Sequence, residues 1–458
     1  MEIAKVTVPH ANYLSLKEKI GYSLGDSASN LYWKTFEFFL VIFYTDVFGL
    51  PAAAVGTMLL VTRVADAAAD LVMGSIADHT VMRWGHYRPY LLWGAVPLAA
   101  AGVLTFTTPN LGAGPKLLYA YITYSALMLA YTAVNTPYSA LMGVMTTNLN
   151  ERTSLSSIRF VGAFASGLFV QYFTLKLVKL FGQGSDARGW QMTMVLYGFV
   201  AIVLLQICLV STRERVTPSR KQKANLQREL CDLFNNRPWW ILVGVQLLTV
   251  SAFAIEGSVS AYYFKYFVKR QDLLGLFLAS NGLAYLVAVL VTSHLARLVG
   301  KKKLFIVTLG IGSLVMGLFS FARPSDVALI FVLQIISSFM LGFKSPLVFA
   351  MFADTADHAE WRTGRRATGL ILASAIFSTK IGMAIGGWLF GVILAYCGYV
   401  ANVEQAAHSL RWIILSMSWI PCALLILATA AMVLYQLDDI IMEKIEEDLK
   451  LRRVENGG

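Results

Sequence analysis

The stretch LLVTRVADAAADLVMGSIADHT, residues 59–80, decides how this chain is read. Most of it is apolar enough to cross a bilayer, yet Arg63, Asp66 and Asp70 lie within it, at spacings that put all three on one helical face. The two acids stand one turn apart, so each disfavours ionisation of the other. An ionisable side chain at membrane depth costs at least about 2.5 kcal/mol and faces a cavity or a partner. A bound monovalent cation relieves such a pair, because hard cations take oxygen ligands. A shared proton relieves it too. The plain alternative is that Arg63, three residues before Asp66, neutralises one acid.

The rest of the chain supplies the setting. Of 458 residues, 57% are hydrophobic and 14% charged, with a mean hydropathy of +0.61. Soluble domains carry about a quarter charged residues, so the composition is that of an all-α polytopic membrane protein. Apolar runs of span length give about twelve helices, near 26–48, 52–77, 89–108, 117–145, 156–181, 190–210, 239–267, 273–296, 303–322, 326–352, 367–396 and 410–436. The expected organisation is a six-helix half over 1–211, a polar central loop over 212–237, a second six-helix half over 238–436 and a tail over 437–458. The tail reads as a short amphipathic helix.

The net charge of +11 is concentrated in alternate loops, which carry Arg83 and Arg88, then Arg213, Arg215, Arg220, Lys221, Lys223 and Arg228, then Arg297 and Lys301 to Lys303, then Arg362, Arg365 and Arg366. Positive loops stay inside, so both termini are expected in the cytoplasm, and nucleic-acid binding is not indicated. Cys208, Cys231, Cys397 and Cys422 form no CxxC pair and read as buried small hydrophobes. The polar start reads as a cytosolic N-terminus without a signal peptide. No phosphate loop, zinc pattern or nucleophile triad is present, so an ATP-driven pump or a membrane enzyme is not expected, and no cofactor.

Further polar residues mark the spans. Span four holds AYTAVNTPYSALMG, in which Thr132 and Asn135 offer oxygens one turn apart and Pro137 removes a rung of the helix ladder. Lys380 lies in span eleven; with Asp66 and Asp70 it sums to one negative charge, which a single monovalent cation cancels. Lys34 and Glu37 in span one, Glu256 in span seven and Lys344 in span ten either pair to hold helices or line a polar cavity. Tyr32, Trp33, Tyr138, Tyr262 and Tyr263 accompany them, and aromatic faces suit sugar rings.

The stretch RVADAAADLVMGSIADHTVMRWGHYRPYLLWGAVP, residues 63–97, resembles a signature of the glycoside–pentoside–hexuronide:cation symporters, a branch of the major facilitator superfamily. FADTADHAEWRTGRRATG resembles the second signature, and EKIGYSLGDSASN and FYTDVFGLPAAAVGTMLL its opening; NNRPWW is similar to the glucuronide and xyloside branches. The resemblance implies the major facilitator fold, two six-helix lobes and alternating access. It implies a cation site of Asp66, Asp70, Thr132 and Asn135, for sodium or a proton as the coupling ion. It implies that Arg159 contacts sugar and that Lys380 sits beside the cation site as a charge partner; the expected substrate site draws on Asn30, Trp33, Lys34, Glu37, Arg63, Tyr138, Arg159, Glu256, Lys344 and Lys380. Asn30 and Asn135 stand where the melibiose branch has sugar-binding aspartates, and Ser139 where it has a tryptophan. Fewer acids, with Lys344 and Arg159 as cations, lean towards an acidic sugar such as a hexuronide, glucuronide or sulfosugar. A neutral glycoside or pentoside, a lysophospholipid and a non-transporting sugar sensor remain as alternatives. Asp78, Arg83 and Arg88, with Asp354, Asp357, Glu360, Arg362 and Arg365, resemble a cytoplasmic gate whose salt bridges hold the outward-facing state. The expected setting is a bacterial inner membrane, with the chain as a monomer and a small sugar or sugar acid and the lipid bilayer as its partners.

Overall fold

The computed structural model describes residues 13–80, 82, 84–146, 148–215, 233–363 and 368–456. Among them, the regular elements are all helices: α1 (Leu16–Ile42), α2 (Ala52–His79), α3 (Arg88–Thr105), α4 (Ala113–Met145), α5 (Leu149–Gly182), α6 (Asp186–Ser211), α7 (Arg237–Tyr262), α8 (Leu274–Val299), α9 (Lys301–Gly317), α10 (Val327–Gly342), α11 (Lys344–Thr363), α12 (Thr368–Tyr396), α13 (Ala407–Met417), α14 (Trp419–Val433) and α15 (Asp439–Asn456). The π-helical turns Phe43–Val47 and Tyr263–Phe267 continue α1 and α7.

Among the described residues, ten segments are long and apolar enough to cross a membrane, with α10–α11 and α13–α14 each forming one segment. The expected spans one and three are the other two. α3 is 18 residues long and opens with Arg88, Pro89 and Tyr90, which make it less apolar than the ten. α1 carries charge that it buries: Asp26 and Glu37 are 7% and 5% exposed. α1 also begins ten residues earlier than its apolar run suggests. Ser15 and Glu18 form a capping box, with the Glu18 N–H donating to Ser15 Oγ at 3.3 Å and the Ser15 N–H to the Glu18 carboxylate at 3.0 Å. Asp26 therefore lies in mid-helix rather than at a helix end.

Two breaks have one cause. α10 gives way to α11 at Phe343, and α13 to α14 at Ser418, each three residues before a proline, Pro346 and Pro421. A proline lacks the N–H for the carbonyl four residues back and collides with it. α4, by contrast, runs unbroken through Pro137.

The chain divides into two compact units, Met1–Thr35 with Ala68–Arg220, and Phe36–Ala67 with Lys221–Gly458. In the first, α3 packs on α4 and α6, and α5 on α6. In the second, α7 packs on α12 and α14, and α8 on α10. The tail helix α15 buries Met442, Ile445 and Leu449 on one face against α11 and its neighbours, as its amphipathic pattern predicts. Trp361 of α11 donates its indole N–H to Asp448 at 2.9 Å. Cys208, Cys397 and Cys422 are buried and free. Cys231 lies outside the described residues.

Candidate functional site

The two acids of α2 meet different chemistry. Asp66 is buried and receives the Lys380 ammonium of α12 at 2.8 Å, its side chain fully shielded from solvent. Asp70, one turn on, accepts hydroxyls from Thr132 at 3.3 Å and Thr136 at 3.1 Å, both on α4. A carboxylate ringed by hydroxyl oxygens is a ligand set for a hard cation or a proton. Thr136 is an addition to the expected set. The Asn135 side chain, beside it, makes no hydrogen bond with a described residue. Thr132 and Thr136 are four residues apart and share a helix face, so the hydroxyl pair converges on one carboxylate.

A second charged pair lies in the first unit and was not foreseen. Asp26 of α1 takes a fork from Arg159 of α5, Nε to Oδ2 at 3.1 Å and Nη2 to Oδ1 at 3.4 Å. The guanidinium stands 5.3 Å from the centre of the Tyr138 ring. Tyr138 is fixed in turn. It stacks on Tyr22 at 4.6 Å and 18°, and each hydroxyl donates to the other's backbone carbonyl, at 2.8 and 3.1 Å. Arg159 thus has a set place and a set counter-ion. Asn30 donates its amide to the Asp26 carbonyl at 2.9 Å, along its own helix. Trp33 stacks on Tyr131 at 5.7 Å. The Lys34 stem passes Gly167, where no side chain obstructs it.

In the second unit, Glu37 and Arg63 are both buried and line one cavity of about 30 Å³ with Phe36, Leu59 and Ser258. That is room for roughly one or two waters, not for a sugar. Glu256 on α7 is 4% exposed and accepts amide protons from Gln334 at 2.8 Å and Asn281 at 3.5 Å. The side chain of Lys344, the cation considered as its partner, makes no hydrogen bond or ion pair with a described residue. Two amides therefore hold Glu256. Glu256→Ala should lower stability by about 1–3 kcal/mol, because Gln334 and Asn281 lose their acceptor, while Glu256→Gln should cost less. Thermal unfolding of the purified variants in detergent checks this; equal losses for Ala and Gln would contradict it.

Of the expected gate, Arg83 and Arg365 lie outside the described residues, as does the Asp78 side chain. Arg88 donates to the carbonyls of Leu209 at 2.7 Å and Trp84 at 3.4 Å. Glu214, another residue not anticipated, caps the start of α3 by accepting the N–H groups of His86, Tyr87 and Arg88 at 2.8, 2.8 and 3.0 Å. Gly85, at φ +115°, is required beside it: a Cβ there would stand 2.5 Å from that carboxylate. Asp354 pairs with Lys301, Asp357 and Glu360 are partly buried on α11, and Arg362 is exposed at its end. At the start of the first unit, Lys19 bonds Glu151 at 3.0 Å; that bond and the Leu14 N–H hold the Glu151 carboxyl below its ordinary range.

The sequence matches the MFS/sugar transport protein family over residues 21–439. It is 39% identical to the uncharacterized symporter YnaJ of Bacillus subtilis (strain 168), over 96% of each chain. It is 36% identical to the isoprimeverose transporter of Lactiplantibacillus pentosus, over 98% of this chain and 95% of that one. The fold is similar to the crystal structure of a D-xylose–proton symporter, with a TM-score of 0.64 at 16% identity, covering 91% of this chain and 96% of the other. With ten apolar membrane-length helical segments among the described residues and a family match across nearly all of its length, the chain belongs to the MFS/sugar transport protein family, with the major facilitator fold.

Proposed function

We propose that the protein is a cation-coupled sugar symporter working by alternating access, with α2 carrying the coupling ion and Asp26–Arg159 engaging a neutral sugar or glycoside. The observation that carries this reading is Asp70 at membrane depth among the Thr132 and Thr136 hydroxyls. A small cation or a proton at that carboxylate eases its repulsion with Asp66, and sugar affinity rises with occupancy; the coupling is reciprocal. Each positive charge entering down the membrane potential supplies about 2.3 kcal/mol per 100 mV, which drives sugar uphill without a nucleotide. Residues 1–211 and 238–436 serve as the two lobes, in a bacterial inner membrane, with both termini cytoplasmic and the chain a monomer.

The substrate follows from charge pairing. Arg159 would suit a sugar acid if it were a spare cation, but Asp26 already takes its fork. A matched carboxylate and guanidinium bond vicinal hydroxyls without demanding net charge. Uptake of labelled glycosides into proteoliposomes, under an imposed sodium or proton gradient, tests the whole reading. Sugar bound but never accumulated would replace the symporter with a sensor.

One observation favours an acidic sugar instead: Lys344 has no ion-pair partner among the described residues. If it meets a substrate carboxylate or sulfonate, Lys344→Ala should weaken acidic sugars about tenfold or more and leave neutral ones nearly unchanged. Competition binding with matched pairs of sugars checks this. Equal losses for both classes would remove Lys344 from the substrate.

A further inference from the structure

α1 and α7 end alike. Each closes in a five-residue π-helical turn, Phe43–Val47 and Tyr263–Phe267. In each, the next N–H returns to the turn's first carbonyl, Phe48 to Phe43 at 2.8 Å and Val268 to Tyr263 at 2.9 Å. Each is followed by a residue of positive φ, Gly49 at +81° and Lys269 at +56°. Such turns inside α-helices gather at functional sites. In this register, Thr45 and Asp46 correspond to Lys265 and Tyr266.

These corresponding residues meet each other. The Asp46 carboxylate, 2% exposed, receives the Lys265 ammonium at 2.5 Å and the hydroxyls of Tyr266, Tyr399 and its neighbour Thr45, the last at 2.7 Å. Its backbone carbonyl accepts the Asn402 amide at 2.6 Å. Asn402 also accepts from Lys265 at 2.7 Å, and its N–H donates to the Tyr266 hydroxyl at 3.0 Å. Thr45 shares a 2.7 Å hydrogen bond with the Tyr262 hydroxyl. One carboxylate thus ties the ends of α1, α7 and α12. Just within, α2 and α12 cross with backbones touching: a Cβ on Gly391 would lie 2.7 Å from the Gly56 Cα and from the Ala52 carbonyl oxygen.

We propose that Asp46 is the catch of a latch that closes the external end of the transport path and must release for sugar to load from outside. The word external rests on the topology proposed above, in which the ends of spans one, seven and eleven all lie opposite the N-terminus. The bonds are charge-assisted and converge on one anion, so losing the anion loosens them together. A merely static cap would be indifferent to the transport cycle.

The reporter is Ser258→Cys, one turn before Tyr262 in the cavity shared with Glu37 and Arg63. A membrane-impermeant maleimide is applied to right-side-out and inside-out vesicles, each measured against the same chain without the reporter. Asp46→Asn is expected to speed labelling about tenfold in right-side-out vesicles, and Tyr399→Phe about threefold. If Asp46→Asn does not reach the membrane, Tyr399→Phe decides. Unchanged labelling in every variant that reaches the membrane overturns the latch, and so does acceleration confined to inside-out vesicles. The assay needs neither sugar nor ion. Faster labelling without any uptake would therefore sink the symport reading and leave the latch standing.

Discussion

Asp70→Asn should abolish accumulation of sugar against a gradient while leaving the protein folded and still able to bind sugar. Asparagine keeps the size of the side chain and can still accept hydrogen bonds from Thr132 and Thr136, so the α2–α4 contact survives. It loses the charge that recruits a cation and the atom that takes a proton. With no ion moving inward, about 2.3 kcal/mol per 100 mV of driving force disappears, and transport falls to equilibration. Asp66→Asn should have a similar effect on accumulation with a larger loss of stability. It leaves the Lys380 ammonium without its carboxylate, and breaking one side of a buried pair costs about 3–5 kcal/mol. Efflux and exchange assays beside net uptake separate lost coupling from lost binding. Accumulation by Asp70→Asn at the parent level would remove α2 from the coupling mechanism.

Breaking the Asp26–Arg159 pair should have the largest effect on sugar affinity. Arg159→Ala removes the fork that holds Asp26 and the cation over Tyr138, so binding should weaken about a hundredfold, the size expected when charge-assisted hydrogen bonds are lost. Asp26→Asn keeps the acceptor shape but leaves the guanidinium partly buried with a neutral partner, and should cost about tenfold. Arg159→Lys keeps charge but not the planar fork and should fall nearer to Ala than to the parent chain. Isothermal titration of purified protein ranks the three. Full affinity in Arg159→Ala would place the sugar elsewhere, whatever the result for coupling.

The twelve-helix layout is legible because apolar runs of span length are a local property of the chain, and so is the amphipathic stripe of α15. The acids of α2 stand out for the same reason: two carboxylates one turn apart in an apolar run call for a cationic partner, an ion or a proton. Pairings between distant residues leave no such mark. Asp26 and Arg159 are 133 residues apart in sequence, and Asp26 sits where the apolar run starts, so it reads as a charge at a helix end until the capping box shows that α1 begins at Leu16. Asp46 is hidden likewise, at the close of its span. The breaks at Phe343 and Ser418 had a signal in Pro346 and Pro421, yet the flanking residues are apolar enough to disguise it. Asn135 and Thr136 lie on the same flank of α4; spacing alone ranks the amide and the hydroxyl equally, and only packing brings the hydroxyl to Asp70.

The most direct test runs the coupling backwards. Proteoliposomes holding the purified protein are given sugar outside, with no imposed ion gradient, while internal pH and sodium are followed by trapped dyes. Sugar entering down its own gradient should carry protons or sodium inward in the parent chain, and the ion movement should vanish in Asp70→Asn. Sugar entry by the parent chain with neither ion moving, or ion movement undiminished in Asp70→Asn, would contradict a coupling site on α2.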